Sequence, residues 1–113
     1  MQNKIKRLAV IPARGNSKRI KNKNLKLFCG KPVIKFTIDN AANSGLFDKI
    51  HISTESKKIY NYVSKLGFKP EFYRPEKLSK DNTSIFAVVN FVFNYYLKKK
   101  IKFDEIWLLT ATS

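Results

Sequence analysis

Apolar residues along this chain switch between two periods, and the switching outlines a fold before any residue is asked about chemistry. Short apolar runs of strand length alternate with stretches in which apolar residues recur every three or four positions. That alternation is the signature of repeated β-α units around a parallel sheet. The first strand is expected over residues 6–11, with Leu8, Val10 and Ile11 for the core. Gly30-Lys31-Pro32 opens a helix with proline in its first turn, where the missing N–H costs no hydrogen bond. Val33, Ile34, Ile38, Ala41 and Ala42 mark the buried face of that helix, and Gly45 is placed to end it. A second strand follows at 49–53, then a helix over 56–66 with Ile59, Tyr62, Val63 and Leu66 inward and Gly67 closing it. A third, shorter strand is expected near 71–73.

Pro75 then breaks the chain, and a polar turn over 78–83 precedes the longest helical pattern, 83–99. Ile85, Phe86, Val89, Val92, Phe93, Tyr96 and Leu97 give that helix a broad apolar face, and Asp81 or Asn82 is expected to cap it. A ligand at this turn would meet free backbone donors as well as side chains. A fourth strand spans 105–109. Right-handed crossovers in a doubly wound sheet allow the first strand to lie between the second and the fourth, which leaves Trp107, Leu108 and Leu109 at an edge. Native proteins cover apolar edges of this kind, so more polypeptide is expected to follow and the chain reads as the amino-terminal part of a larger domain. The sequence shows no repeat, linker or low-complexity tract.

With 113 residues and a hydrophobic share of 43%, the chain can bury a real core as one domain, which excludes a disordered tail. Its charge, 23 − 8 = +15, suits a polyanionic partner. Most of the excess is lysine scattered over helices and loops, so nucleic acid is not the expected partner. Cys29 is the single cysteine, which rules out an internal disulfide and points to a reducing, cytoplasmic setting. Pro12 and Arg14 interrupt the first apolar stretch well short of a signal peptide or membrane span, so no membrane partner is expected.

Candidate chemistry concentrates in the loop after the first strand, which holds Arg14, Lys18, Arg19, Lys21 and Lys23 among small residues. A loop leaving the carboxyl end of a parallel strand sits where ligands bind, and its N–H groups and cations suit a polyphosphate. It lacks both the three-glycine dinucleotide fingerprint and the glycine that precedes a Walker lysine. Pro12-Ala13-Arg14, Ser17-Lys18 and Lys23-Asn24 instead form one ordered pattern. Gly30-Lys31-Pro32, Ser44-Gly45-Leu46-Phe47, Ile52-Ser53-Thr54, Arg74-Pro75, Leu78-Ser79, Asp81 and Thr83 extend it, and 108–113 completes it. Across the whole chain this series resembles the amino-terminal part of the CMP-nonulosonic acid synthetases, the acylneuraminate, pseudaminic and legionaminic acid cytidylyltransferases.

The resemblance implies a Rossmann-like α/β fold of the nucleotide-diphospho-sugar transferase type, truncated after the fourth strand, with residues 1–113 as the nucleotide-binding part of a single domain. It implies transfer of CMP from CTP to a nine-carbon sugar acid with release of pyrophosphate, and a fragment inactive by itself. By family position Arg14, Lys18 and Lys23 are the catalytic cations. The CTP-binding set is Ala13, Arg14, Gly15, Ser17, Lys18, Lys23, Asn24, Arg74, Asp81, Thr83 and Ser84. Mg²⁺ is implied, bound mainly by residues beyond this chain, as is a homodimer of the full-length enzyme. Arg19 and Lys21 replace a glycine and a proline of the sialic acid pattern and favour the pseudaminic branch. Glu55 stands where aspartate is usual, and Thr110 where glutamine is frequent. Another sugar nucleotidyltransferase of the same fold, or a non-catalytic basic module that binds nucleotides or RNA, are the alternative readings. Arg74 is expected to contact the base rather than pair with Glu76, and His51 to be a neutral, hydrogen-bonded strand residue. Phe91, Phe93, Tyr95 and Tyr96 are expected to pack as one helical run.

Overall fold

The computed structural model describes residues 4–15, 25, 27–28 and 30–110. β1 (Arg7–Pro12) is the middle strand of a three-stranded parallel sheet, between β4 (Lys49–Ser53) and β5 (Glu105–Leu108). The expected strand order is therefore the observed one. Leu8 to Ile11 are all 0% exposed, because a strand paired on both edges and covered on both faces has no outlet to water. Ile11 of β1 turns to one face and Leu8 and Val10 to the other, the two-residue period of a strand.

The first face is covered by α1 (Val33–Ser44) and α2 (Lys57–Lys65). Ile34, Ile38 and Ala41 of α1 and Ile59 and Val63 of α2 are buried there at helical spacing. Ala42, expected inward, is exposed, so the inward stripe of α1 is narrower than its apolar sequence. Gly45 takes the left-handed conformation (φ 68°) that ends α1, a backbone state glycine adopts without a Cβ clash. Ser56 caps α2, its hydroxyl accepting from the Ile59 N–H at 3.2 Å.

The second face is covered by α3 (Ile85–Lys98), whose buried stripe is Val88, Val92 and Tyr96. This stripe is rotated from the expected one: Phe86 is 80% exposed and Leu97 39%. The helix is apolar nearly all round, so periodicity alone does not choose its inward side. Its cap is Ser84, whose hydroxyl accepts from the Phe86 N–H, and neither Asp81 nor Asn82 serves.

No strand forms at 71–73; the segment is irregular. Pro70 and Pro75 bracket it and supply no N–H to a ladder. Phe72 instead stacks on His51 with ring centroids 4.4 Å apart, and Glu71 is paired with Lys49 at 2.8 Å. A short antiparallel ribbon, β2 (Leu27–Phe28) with β3 (Lys31–Pro32), precedes α1 and was not evident in the hydropathy pattern. β5 is an edge strand of the described sheet, with Trp107 and Leu108 exposed as expected of an uncovered apolar edge.

Candidate functional site

Parallel pairing brings the carboxyl ends of β1 and β4 to the same edge of the sheet, and the polar residues of the chain converge there. The Ala13 N–H continues the β1–β4 ladder by donating to the Ser53 carbonyl at 2.8 Å, which delivers Arg14 and Gly15 to this edge. Thr54, fully buried, accepts from the Ser56 N–H through its hydroxyl and holds the turn into α2. Glu55 lies between, and one of its carboxylate oxygens accepts from the Gly15 N–H at 2.7 Å.

Arg74 is bonded to the end of β4. Its N–H donates to the Thr54 carbonyl at 2.8 Å, its Nε to the Ser53 hydroxyl at 3.0 Å, and its Nη2 to the Ser53 carbonyl at 3.1 Å. Only 5% of the residue is exposed. Burial pulls its basicity down to about 10, opposed by the Glu55 charge and assisted by that of Arg14, so it remains a cation at neutral pH. The guanidinium bonds described are to Ser53, not the surface pair with Glu76. The guanidinium stitches the 74 segment onto the end of β4, and its remaining surface lines the cleft.

Arg14 reaches across to the turn before α3. Its guanidinium donates to the Ser79 carbonyl at 3.1 Å and pairs with Asp81 at 2.9 Å. The short 3-10 turn Glu76–Leu78 presents that carbonyl, and Ser79 itself is bound back to Pro75 and Glu76. Thr83 accepts from the Lys80 N–H, and the Ser84 hydroxyl serves as the α3 cap, so both hydroxyls shape the turn. A cleft of about 440 Å³ is bounded by Glu55, Arg74, Glu76, Ser79 and Lys80.

Of the site residues expected from sequence, the fold brings Ala13, Arg14, Gly15, Arg74 and Asp81 to one edge, with Thr83 and Ser84 in the adjoining turn. Ser17, Lys18, Lys23 and Asn24 lie outside the described residues. Two participants were not anticipated. Ser53 ties Ala13 and Arg74 together, and Glu55 holds the first backbone donor of the basic loop. The signal for Glu55 was its place two residues beyond a strand end, directly opposite the loop. Elsewhere, His51 is buried and its two ring nitrogens have no hydrogen-bond partner among the described residues, contrary to the expectation of a satisfied histidine.

The family model for cytidylyltransferases matches residues 8–102. The pseudaminic acid cytidylyltransferase of Campylobacter jejuni subsp. jejuni serotype O:2 is 40% identical over 109 residues, covering 96% of this chain and 47% of the relative. The CMP-N,N'-diacetyllegionaminic acid synthase of Legionella pneumophila is 37% identical over 107 residues, covering 94% and 46% respectively. The chain thus spans about half the length of these curated relatives. Among solved structures, CMP:2-keto-3-deoxy-manno-octonic acid synthetase complexed with CTP superposes with a TM-score of 0.75 at 24% identity, over 94% of this chain and 40% of that one. This likeness establishes the Rossmann-like nucleotidyltransferase fold.

Proposed function

The chain belongs to the cytidylyltransferase family, and from that premise we propose that the full-length protein transfers CMP from CTP to a nonulosonic acid. In this reading residues 1–113 are the amino-terminal, nucleotide-binding part of one domain. The sugar's anomeric hydroxyl oxygen forms a bond to the α-phosphorus, the bond from that phosphorus to the bridging oxygen breaks, and pyrophosphate leaves with the electron pair. The hydroxyl proton passes to solvent or a base. Negative charge accumulates on the leaving group, so cations held in place beforehand lower the barrier. Arg14, Lys18 and Lys23 take that role, with Ser17 and Asn24 beside the phosphates. A charge-assisted contact of this kind contributes about 1.5–3 kcal/mol. Arg74 and the turn from Asp81 to Ser84 face the cytosine and ribose.

The observation that carries this reading is the convergence at one sheet edge of Arg14, the Gly15 N–H, Arg74 and the Asp81 turn. The names of the relatives support a nonulosonic acid as acceptor, and the replacements at Arg19 and Lys21 support the pseudaminic type. Mg²⁺ is the proposed cofactor. Among the described residues no three acidic, histidine or cysteine side chains gather to hold a metal. Glu55 and Asp81 are engaged by Gly15 and Arg14, so the described residues do not fit the ion and its ligands are proposed to lie mainly outside them. No described helix is long and apolar enough to cross a membrane. A cytoplasmic homodimer is the proposed working form, a reading that rests on family resemblance and the lone cysteine.

Calorimetry on the full-length protein tests the proposal. CTP is expected to bind in preference to ATP, GTP and UTP. Lys23→Ala is expected to weaken CTP by about tenfold or more, the value of one charged contact, while Lys98→Ala on the far end of α3 changes little. Equal affinity for the four nucleotides, or equal effects of the two substitutions, would remove the basis for the assignment.

A further inference from the structure

Arg74 is tied to Ser53 through one edge of its guanidinium, which leaves the other edge for the cleft. Along β4 the side chains of His51 and Ser53 fall on the same face of the sheet, two residues apart. Phe72 stacks on the first with ring centroids 4.4 Å apart and Arg74 bonds to the second, so the irregular 72–74 segment is pinned to the strand twice. Nε donates to the Ser53 hydroxyl at 3.0 Å and Nη2 to the Ser53 carbonyl at 3.1 Å. Ser53 is 1% exposed and Arg74 5%, so water does not compete for these bonds. The opposite edge, Nη1 with the second N–H of Nη2, has no hydrogen-bond partner among the described residues. Arg74 lines the cleft together with Glu55, Glu76, Ser79 and Lys80.

We propose that the Ser53 hydroxyl is a positioning group for base recognition: by fixing the Nε–Nη2 edge of Arg74 it aims the remaining edge at a pyrimidine base in the cleft. This rests on the reading of Arg74 as a cytosine contact. A guanidinium held by the carbonyl alone can swing about that single bond. A second contact on the adjacent N–H fixes its plane, because the donors lie in one rigid fork. The anchor itself does not move, since the Ser53 carbonyl also accepts from the Ala13 N–H at 2.8 Å and belongs to the β1–β4 ladder. An arginine edge offers only donors. Cytosine presents a carbonyl and a ring nitrogen that both accept, whereas uracil carries a proton on that nitrogen. The direction of this edge therefore decides between the two bases, the wrong one leaving donor against donor. Ser53 makes no ligand contact of its own in this arrangement and acts through Arg74.

The test compares Ser53→Ala, which removes the hydroxyl and keeps the carbonyl bonds, with Ser53→Thr, which retains the oxygen, and with Arg74→Lys, which keeps the cation and loses the fork. Calorimetry on the full-length protein measures CTP, UTP and inorganic tripolyphosphate, the last having no base. Ser53→Ala is expected to narrow the preference for CTP over UTP by about fivefold and to leave tripolyphosphate within about twofold of the parent, a modest part of a charged hydrogen bond's full worth. Ser53→Thr is expected to keep the parent's preference. In the Arg74→Lys background Ser53→Ala is expected to lose nothing further, because both changes remove the same contact. An unchanged preference in Ser53→Ala while Arg74→Lys loses it would overturn the inference and leave the cytosine reading standing. Tripolyphosphate weakened as much as CTP in Ser53→Ala would overturn it too, since that pattern marks general damage to the fold. A preference that survives Arg74→Lys would remove the cytosine reading itself, and the inference with it.

Discussion

On one face of the sheet Ile11, Ala13, Ile34, Ile38, Ile52, Ile59 and Val63 pack together, with Tyr62 and Phe68 partly buried against them. The other face mixes Leu8, Val10, Val92 and Phe103 with Tyr96, whose hydroxyl donates to Glu71, and with the buried imidazole of His51. The core of the first face is aliphatic burial, which is non-directional. The second depends on aromatic stacking around Phe72 and on an ionic hub at Glu71, which receives Lys49, Lys99 and Tyr96. That hub stands where a further strand had been expected, so side-chain contacts do there what a backbone ladder would have done.

Three measurements would break or sharpen this contrast. The largest effect is expected from Ile38→Ala on the aliphatic face. It removes a fully buried side chain from the aliphatic cluster, and should destabilise by about 2–5 kcal/mol in chemical denaturation. A loss below about 1 kcal/mol would mean that this face is loosely packed, against the close packing expected of a protein interior.

The second concerns His51 and pH. Burial lowers its basicity from 6.5 to about 4, Glu71 opposes that shift, and Lys49 and Arg74 add to it. The unfolded chain therefore takes up a proton on this side chain at a higher pH than the folded one. Its contribution is fully present above about pH 6.5 and is lost as pH falls toward 4, amounting to about 3 kcal/mol at 1.36 kcal/mol per unit. His51→Leu also removes two nitrogens that have no hydrogen-bond partner among the described residues. It should be at least as stable as the parent at pH 7 and should gain on it steadily between pH 6.5 and 4. Parallel stability curves for the two proteins across that window would show that the imidazole is not buried in the neutral form.

The smallest effect is expected from Phe86→Ser. Phe86 is 80% exposed beside the groove lined by Ala87, Val89, Asn90, Phe93 and Ile106. Its replacement should change stability by about 0.5 kcal/mol or less. A loss of several kcal/mol would place Phe86 in the core and restore the helix face read from periodicity.

The aliphatic face was legible in the sequence because each of its helices carries one apolar stripe and a polar remainder. Ser56, Ile59, Val63 and Gly67 mark the start, inward side and end of α2 within a residue of what forms. α3 was not legible in the same way. Its start and length were near the mark, but Phe86, Val89 and Phe93 are as apolar as Val88 and Val92, and only the sheet surface decides between them. The 71–73 segment looked like a strand because Phe72 and Tyr73 favour strands, and propensity yielded to the contacts of Phe72 with His51, Tyr95 and Tyr96. In the site, the ordered motifs picked out Arg14, Arg74 and Asp81 as members, yet not which of them touch. Arg14 meets Asp81 across 67 positions of chain and Gly15 meets Glu55 across 40.

The amino-acid order alone determined the β-α alternation, the central place of the first strand, the basic loop at its carboxyl end and the family to which these belong. Those features follow from local periodicity and from motifs that are contiguous in the chain. Which face α3 buries, how Arg74 is locked to Ser53, and which carboxylate occupies the loop's first donor were decided only when distant segments met. Direction, distance and desolvation are properties of neighbours in space, and the linear order does not state who those neighbours are.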